Sequence, residues 1–283
     1  MELGILLALS SALGWGVADS LSFKASHENG PATALFYSIA IGAVAYGVAV
    51  LFGPPISLSF PLLAVISVAA VFFTVANAAF FVAMREGEAS VVSPLNATFA
   101  LPVLVLSAVF LGERLTPIQL VFCLCIIAGA VLVSFKWSTL SKQLGSARTV
   151  KGVKLSLLSA LGYGVCYTLI KPAVTATSGA FVFLCFMLLG LPFYYVFLRS
   201  RSGAEPGLCK PWPVVAMSLA YTAAQITFGE SVRLIPASLA ASVSSAFPLI
   251  VAVIAYFFFR ERLEFNQYAG ILLIVAGVAG LSA

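Results

Sequence analysis

Residues 111–115 read Leu-Gly-Glu-Arg-Leu, and residues 259–263 read Phe-Arg-Glu-Arg-Leu. The shared Glu-Arg-Leu runs from 113 in one copy and from 261 in the other, an offset of 148. That offset places Leu13-Gly14-Trp15-Gly16-Val17 on Leu161-Gly162-Tyr163-Gly164-Val165, and Ala89-Ser90 on Ala237-Ser238. It also places Asn77 on Gln225, Arg85 on Arg233, Phe99 on Phe247, Gln119 on Gln267 and Ala128-Gly129 on Ala276-Gly277. An apolar composition inflates Leu and Val matches, but not Trp/Tyr, Asn/Gln or Arg/Arg pairs. One gapless register from near the N-terminus to near the C-terminus is the signature of an internal duplication.

The duplicated unit is strongly apolar. Of 283 residues, 61% are hydrophobic and 9% charged, against about 25% charged in a soluble domain; the mean hydropathy is +1.10. Such a chain cannot cover itself with polar surface, so lipid is its solvent. Apolar runs near the roughly 17–25 residues of a spanning helix recur at about 3–23, 32–52, 62–84, 89–111, 118–135, 153–172, 179–198, 213–233, 237–259 and 266–282. Turn chemistry separates them: Asn29-Gly30-Pro31, Gly53-Pro54-Pro55, Gly87, Thr116-Pro117, Ser178-Gly179 and the stretch 203–213. No run alternates as a barrel strand does. The expected fold is an all-α integral membrane protein of ten transmembrane helices, arranged as two inverted five-helix repeats. Residues 1–135 form the first repeat, 136–152 a connecting loop and 153–283 the second.

The inversion follows from parity. Five spans is an odd number, so the second copy starts from the opposite face of the membrane, related to the first by a pseudo-two-fold axis in the membrane plane. Loop charge orients the chain. The side holding 136–152 carries twelve of the fifteen lysines and arginines, and the other holds only Arg114, Lys171 and Arg233. The positive-inside rule then puts the connection in the cytoplasm and both termini outside. Basic residues gathered in short loops are membrane signals, so the net charge of +5 does not point to nucleic acid. Glu2 and Asp19 argue against a cleaved leader.

Several reaction classes lack their residues. The single histidine, His27, falls in an expected loop, which leaves no His-rich metal site and no His-dependent triad. There is no P-loop and no HExxH. Of the cysteines Cys123, Cys125, Cys166, Cys185 and Cys209, the first four lie within apolar runs, and Cys123 and Cys125, two apart and on different helix faces, read as small apolar residues rather than disulfide or metal partners. No cofactor, metal or catalytic residue is expected.

Polar residues inside apolar runs are costly and mark candidate sites. Asp19 lies late in the first span, either at the surface beside Lys24 or facing a solute. Glu230 and Arg233, three apart on one helical face, read either as a local ion pair or, with Asp19, as coupling or gating groups. Asn77 and Gln225 are a repeat-related pair in spans three and eight, as are Asn96 and Ser244 in spans four and nine. Each pair serves interhelical hydrogen bonding or a polar cavity wall. Trp15 and Tyr163, each between glycines, either fill a packing gap or face a ligand; Tyr167 shares the face of Tyr163. The candidate solute-binding set is therefore Trp15, Asp19, Asn77, Asn96, Tyr163, Tyr167, Gln225 and Ser244. Pro94, Pro102 and Pro248 are expected to kink spans four and nine, although by the offset these prolines do not align. Glu113/Arg114 and Glu261/Arg262 close those spans and read as capping and anchoring groups.

These motifs resemble the drug/metabolite transporter superfamily, and within it the EamA-type permeases. The resemblance rests on Leu13-Gly14-Trp15-Gly16, Ala89-Ser90, Pro102, Leu111-Gly112-Glu113-Arg114-Leu115 and Gly129. The second set is Ala237-Ser238, Pro248, Glu261-Arg262-Leu263 and Gly277. It covers nearly the whole chain, with one departure: Arg260 stands where the first copy has Gly112. The resemblance implies ten helices around a central cavity lined by helices one, three, four, six, eight and nine. It further implies exchange or export of amino acids, other metabolites or drugs. Family members often have both termini in the cytoplasm, opposite to the charge count here. The expected function is secondary transport of a small organic metabolite, such as an amino acid, by alternating access, without ATP hydrolysis. The expected partners are that solute and membrane lipid; the sequence leaves the oligomeric state open, a monomer included. The expected location is a bacterial inner membrane. The alternative is a lipid or lipid-carrier flippase, with Lys24, Lys171 and Arg233 as headgroup contacts.

Overall fold

The computed structural model describes residues 1–54, 56, 58–87, 89–134, 137–138, 147–202, 210–259 and 263–282. The sequence features at Arg260, Glu261, Arg262, Cys209, Lys136 and Lys142 lie outside the described residues, as do the side chains of Ala89 and Ser90. The first half holds α1 (Glu2–Asn29), α2 (Pro31–Leu51), α3 (Phe60–Glu86), α4 (Ala89–Ala97), α5 (Ala100–Phe110) and α6 (Pro117–Ser134). The second holds α7 (Ala147–Ala176), α8 (Gly179–Ser202), α9 (Pro211–Leu234), α10 (Ala237–Ser244), α11 (Phe247–Phe259) and α12 (Phe265–Ser282). There is no strand among the described residues.

The helices outrun the apolar stretches that announce them. α1 continues through Lys24 to Asn29, so His27 sits in its last turn rather than in a loop. Gly30, with φ at +82°, then reverses the chain directly into Pro31 at the start of α2. A residue with a Cβ would be strained at that φ. Likewise α7 begins at Ala147, inside the expected 136–152 connection. Hydropathy marks where lipid begins, whereas hydrogen bonding carries a helix beyond it.

Among the described residues eight helical stretches are long and apolar enough to cross a membrane, α4–α5 and α10–α11 counting as one stretch each, and Phe265–Leu281 is a shorter apolar helix. α9 has the length, 24 residues, but it carries the polar side chains Gln225, Glu230 and Arg233. The exterior is apolar: Val44 and Val109 are each 69% exposed, whereas Asp19 and Gln225 are 5% and 6% exposed. Polar groups inside and aliphatic ones outside suit a lipid solvent.

Spans four and nine are not bent single helices, as expected, but two helices each. The breaks fall at Thr98-Phe99 and Ser245-Ala246. Pro102 has no N–H for the Thr98 carbonyl, which instead accepts the Leu101 N–H at 2.9 Å in a tighter turn. Pro248 likewise cannot serve Ser244, and Leu249 N–H bonds Ala246 O at 2.9 Å. Pro94 lies within α4 and breaks nothing. The prolines do not align by the repeat offset, yet the breaks align to within a residue.

The duplication is realised as reciprocal packing. A Cβ at Gly14 would lie 2.8 Å from the Cβ of Ala224, and one at Gly162 would lie 3.0 Å from that of Ala76. A Cβ at Gly16 would meet Ile250 and the Phe247 carbonyl; one at Gly164 would meet Pro102 and the Phe99 carbonyl. Each contact maps onto its counterpart at the offset of 148 (14 to 162, 76 to 224, 99 to 247). α1 therefore lies on α9 as α3 lies on α7, while α2 pairs with α8 and α6 with α12 across the pseudo-two-fold.

Candidate functional site

The glycines that let α1 and α7 approach their neighbours also aim the rings between them. Trp15 and Asp19 are one turn apart on α1, and Tyr163 and Tyr167 one turn apart on α7, so each pair shares a face. Both faces turn to the pseudo-two-fold centre. There Trp15 stacks on Tyr167 with centroids 5.8 Å apart, and Tyr167 stacks on Tyr163 at 5.4 Å. Phe99, at the α4–α5 break, stands edge-on to Trp15 at 5.6 Å, and Phe247, in the first turn of α11, at 6.2 Å.

These side chains enclose a cavity of about 30 Å³, room for about two water molecules. Its walls come in repeat-related pairs: Trp15 with Tyr163, Asp19 with Tyr167, Asn77 with Gln225, and Phe99 with Phe247. Phe80, Asn96 and Tyr221 complete it. A second cavity of about 20 Å³ between α2, α3, α8 and α9 shares Asn77, Tyr221 and Gln225 with the first, so those three residues partition the space.

Asp19 is the acid of this cavity. Its Oδ1 accepts the Tyr221 hydroxyl at 2.7 Å and its Oδ2 the Ser93 hydroxyl at 2.8 Å. No ion pair to it is found among the described residues. The surface pairing with Lys24 does not form, since Lys24 is exposed and Asp19 buried. Asn77 Oδ1 accepts the Tyr163 hydroxyl at 2.8 Å, while its buried Nδ2 has no partner. Asn96 Oδ1 accepts from Ser159 at 3.0 Å, and Gln225 Oε1 accepts the Tyr46 hydroxyl.

The structure thus gathers Trp15, Asp19, Asn77, Asn96, Tyr163, Tyr167 and Gln225 around one cavity. Ser244 is not among them. Its short hydroxyl donates to the Ala8 carbonyl at 3.1 Å, joining α10 to α1. Glu230 and Arg233 are also elsewhere. They pair at 2.6 Å, each about a third exposed, and Glu230 accepts the Gly179 N–H at 3.0 Å. There Glu230 caps the first amide of α8 and holds Arg233 beside it. Glu113 caps the other repeat: its carboxylate accepts Ala237 N–H at 2.6 Å, Ser238 N–H at 3.0 Å and the Ser238 hydroxyl at 2.6 Å. These are the free donors opening α10.

Four polar residues escape a search for lone polar groups in apolar runs. Tyr46 has a counterpart at the repeat offset, Tyr194, and both are fully buried. Tyr221 lies one turn before Gln225 on the same face, and Ser93 one residue before Pro94. Among the described residues no three His, Cys, Asp or Glu side chains gather as a metal site.

The profile of the EamA-like transporter family matches residues 2–135 and again residues 150–283. The chain belongs to the EamA-like transporter family. It is thereby a transmembrane protein of a permease family. A relative is "Uncharacterized membrane protein YvdR" of Bacillus subtilis (strain 168), 29% identical over 76 residues, which are 26% of this chain and 72% of that one. A crystal structure of another protein superposes with a TM-score of 0.75 over 99% of this chain and 98% of that one, at 19% identity. At that identity the likeness speaks for the fold alone.

Proposed function

We propose that this EamA-like chain is a secondary transporter that carries a small organic solute, such as an amino acid or related metabolite, across the membrane by alternating access. The observation that supports it is an aromatic and polar cavity, at the centre of a reciprocal two-fold packing, bordered by a helix break from each half. In this reading α9 and α12 join the eight apolar stretches as spans eight and ten. Five spans per unit make the repeats, 1–135 and 153–283, inverted. Either unit can then adopt the other's conformation, which exchanges the open face.

The cavity holds water-sized space only, so a solute enters when the halves part. The breaks at 98–99 and 245–246 are the joints for that motion. Separating Asn77, Tyr221 and Gln225 merges the two cavities into a larger chamber. Trp15, Asp19, Asn77, Asn96, Tyr163, Tyr167 and Gln225 are the solute-facing residues, and Asp19, rather than Glu230 or Arg233, is the acid placed to couple transport. Loop charge favours both termini outside a bacterial inner membrane. The test is counterflow: protein in liposomes preloaded with an unlabelled metabolite should accumulate the labelled form with saturable kinetics. A broad metabolite panel showing no trans-stimulation under any gradient would overturn the reading.

A further inference from the structure

We infer that the transported solute is an organic cation, with Asp19 as its counter-charge and the Trp15–Tyr167–Tyr163 stack as its wall. The inference rests on the transport reading above and narrows its solute from small organic metabolites at large to cations, away from zwitterionic amino acids.

The first argument is the charge in the cavity. Asp19 is buried, and its two oxygens accept from two neutral hydroxyls, Tyr221 and Ser93. Among the described residues no lysine, arginine or histidine lines the cavity. A carboxylate removed from water without a cation is strongly disfavoured, and an incoming positive charge removes that penalty. The oxygens have about four acceptor sites between them; two are occupied, so the group is held in place with capacity to spare. The second repeat adds no acid, because Tyr167 stands where Asp19 would recur.

The second argument is the wall. Ring faces carry partial negative charge and attract cations within about 6 Å of their centres. Trp15, Tyr167 and Tyr163 form a continuous stack beside the carboxylate, with Phe99 edge-on to both Trp15 and Tyr167. An aromatic cage with one acid complements an ammonium or related cation carrying an apolar portion.

The third argument is the remaining donor. Asn77 Nδ2 is buried without a partner. One neutral amide can serve a carbonyl, hydroxyl or ether of the solute. It cannot hold a carboxylate against the repulsion of Asp19. The cavity therefore selects against anions and, more weakly, against zwitterions.

The test compares ring-matched compounds of different charge: phenethylammonium, tryptammonium and phenyltrimethylammonium against phenylalanine, tryptophan, phenylpropionate, indole-3-propionate and 2-phenylethanol. Binding is measured by calorimetry on the purified full chain, and exchange by counterflow in liposomes. The cations should bind at least about tenfold more tightly than their ring-matched zwitterions and anions. Asp19→Asn should remove that preference, weakening the cations by about 10- to 100-fold. If Asp19→Asn does not fold, Asp19→Glu should keep the preference and Trp15→Leu should weaken cation binding. The inference is overturned if zwitterions or anions match the cations, or if Asp19→Asn binds cations as before. Exchange of a zwitterion or anion but of no cation sinks the inference and leaves the transport reading standing. Silence from every charge class sinks both.

Discussion

Glu113 ties the first repeat to the second, and its removal has a calculable cost. Its carboxylate accepts three hydrogen bonds, from the Ala237 and Ser238 amides and the Ser238 hydroxyl, at 2.6 to 3.0 Å. Glu113→Ala leaves these donors unpaired at the partly buried start of α10. Losing a helix cap costs about 1 kcal/mol, and losing hydrogen bonds to a charged acceptor costs more, so the sum is about 2–4 kcal/mol. At about 2 °C per kcal/mol for a chain of this size, the melting midpoint should fall by about 4–8 °C. Glu113→Gln keeps an acceptor but loses the charge, and should fall about half as far. Arg114→Ala, at the exposed neighbouring position, should stay within about 1 °C. Differential scanning fluorimetry in detergent reads all three. If Glu113→Ala melts with the unaltered protein, or Arg114→Ala falls as far, the cross-repeat cap does not hold α10.

The packing glycines give a contrasting pair. Gly164→Ala forces a Cβ to within 2.4 Å of Pro102 and should lower stability by about 1–2 kcal/mol after the helix-propensity gain. Gly47→Ala, with nothing within 4 Å, should gain about 0.5–1 kcal/mol; equal melting shifts for the two would refute the close approach of α7 to α5. Tyr46→Phe leaves Gln225 Oε1 without its hydroxyl donor and should destabilise by about 1–2 kcal/mol in the same assay. Pro102→Ala restores an N–H for Thr98 and should let α4 run into α5. Counterflow should then slow severalfold without a fall in melting midpoint, and unchanged exchange would remove the break from the transport cycle.

Much of this was legible because membrane sequences separate their signals sharply. A Gln or Asp in an apolar run stands out, and the duplication doubles the information: Asn77 and Gln225 mark one place twice. What stayed hidden was direction and detail. Lys24 is five residues from Asp19, about 140° around the helix, so the charge nearest in sequence faces away from it. Asn96 and Ser244 are equivalent in sequence, but the longer amide reaches Ser159 while the short hydroxyl finds the nearest carbonyl, that of Ala8. The breaks in spans four and nine leave little mark on hydropathy, because each holds only one small hydroxyl, Thr98 or Ser245, among apolar neighbours while the backbone changes its partners. Tyr221 was invisible for the opposite reason: Phe73 holds its counterpart position, and the hydroxyl that steadies Asp19 exists in one repeat only.

That last difference has a stoichiometric consequence. Two identical copies of one five-span unit meeting on a two-fold axis would bring residues to the axis in twos. An acid there would give the chamber two carboxyl groups, and a tyrosine would give it none. Covalent joining of the units frees the two halves from identity, and Asp19 opposite Tyr167 leaves a single carboxyl group at the centre. Two identical units would supply such groups only in even number.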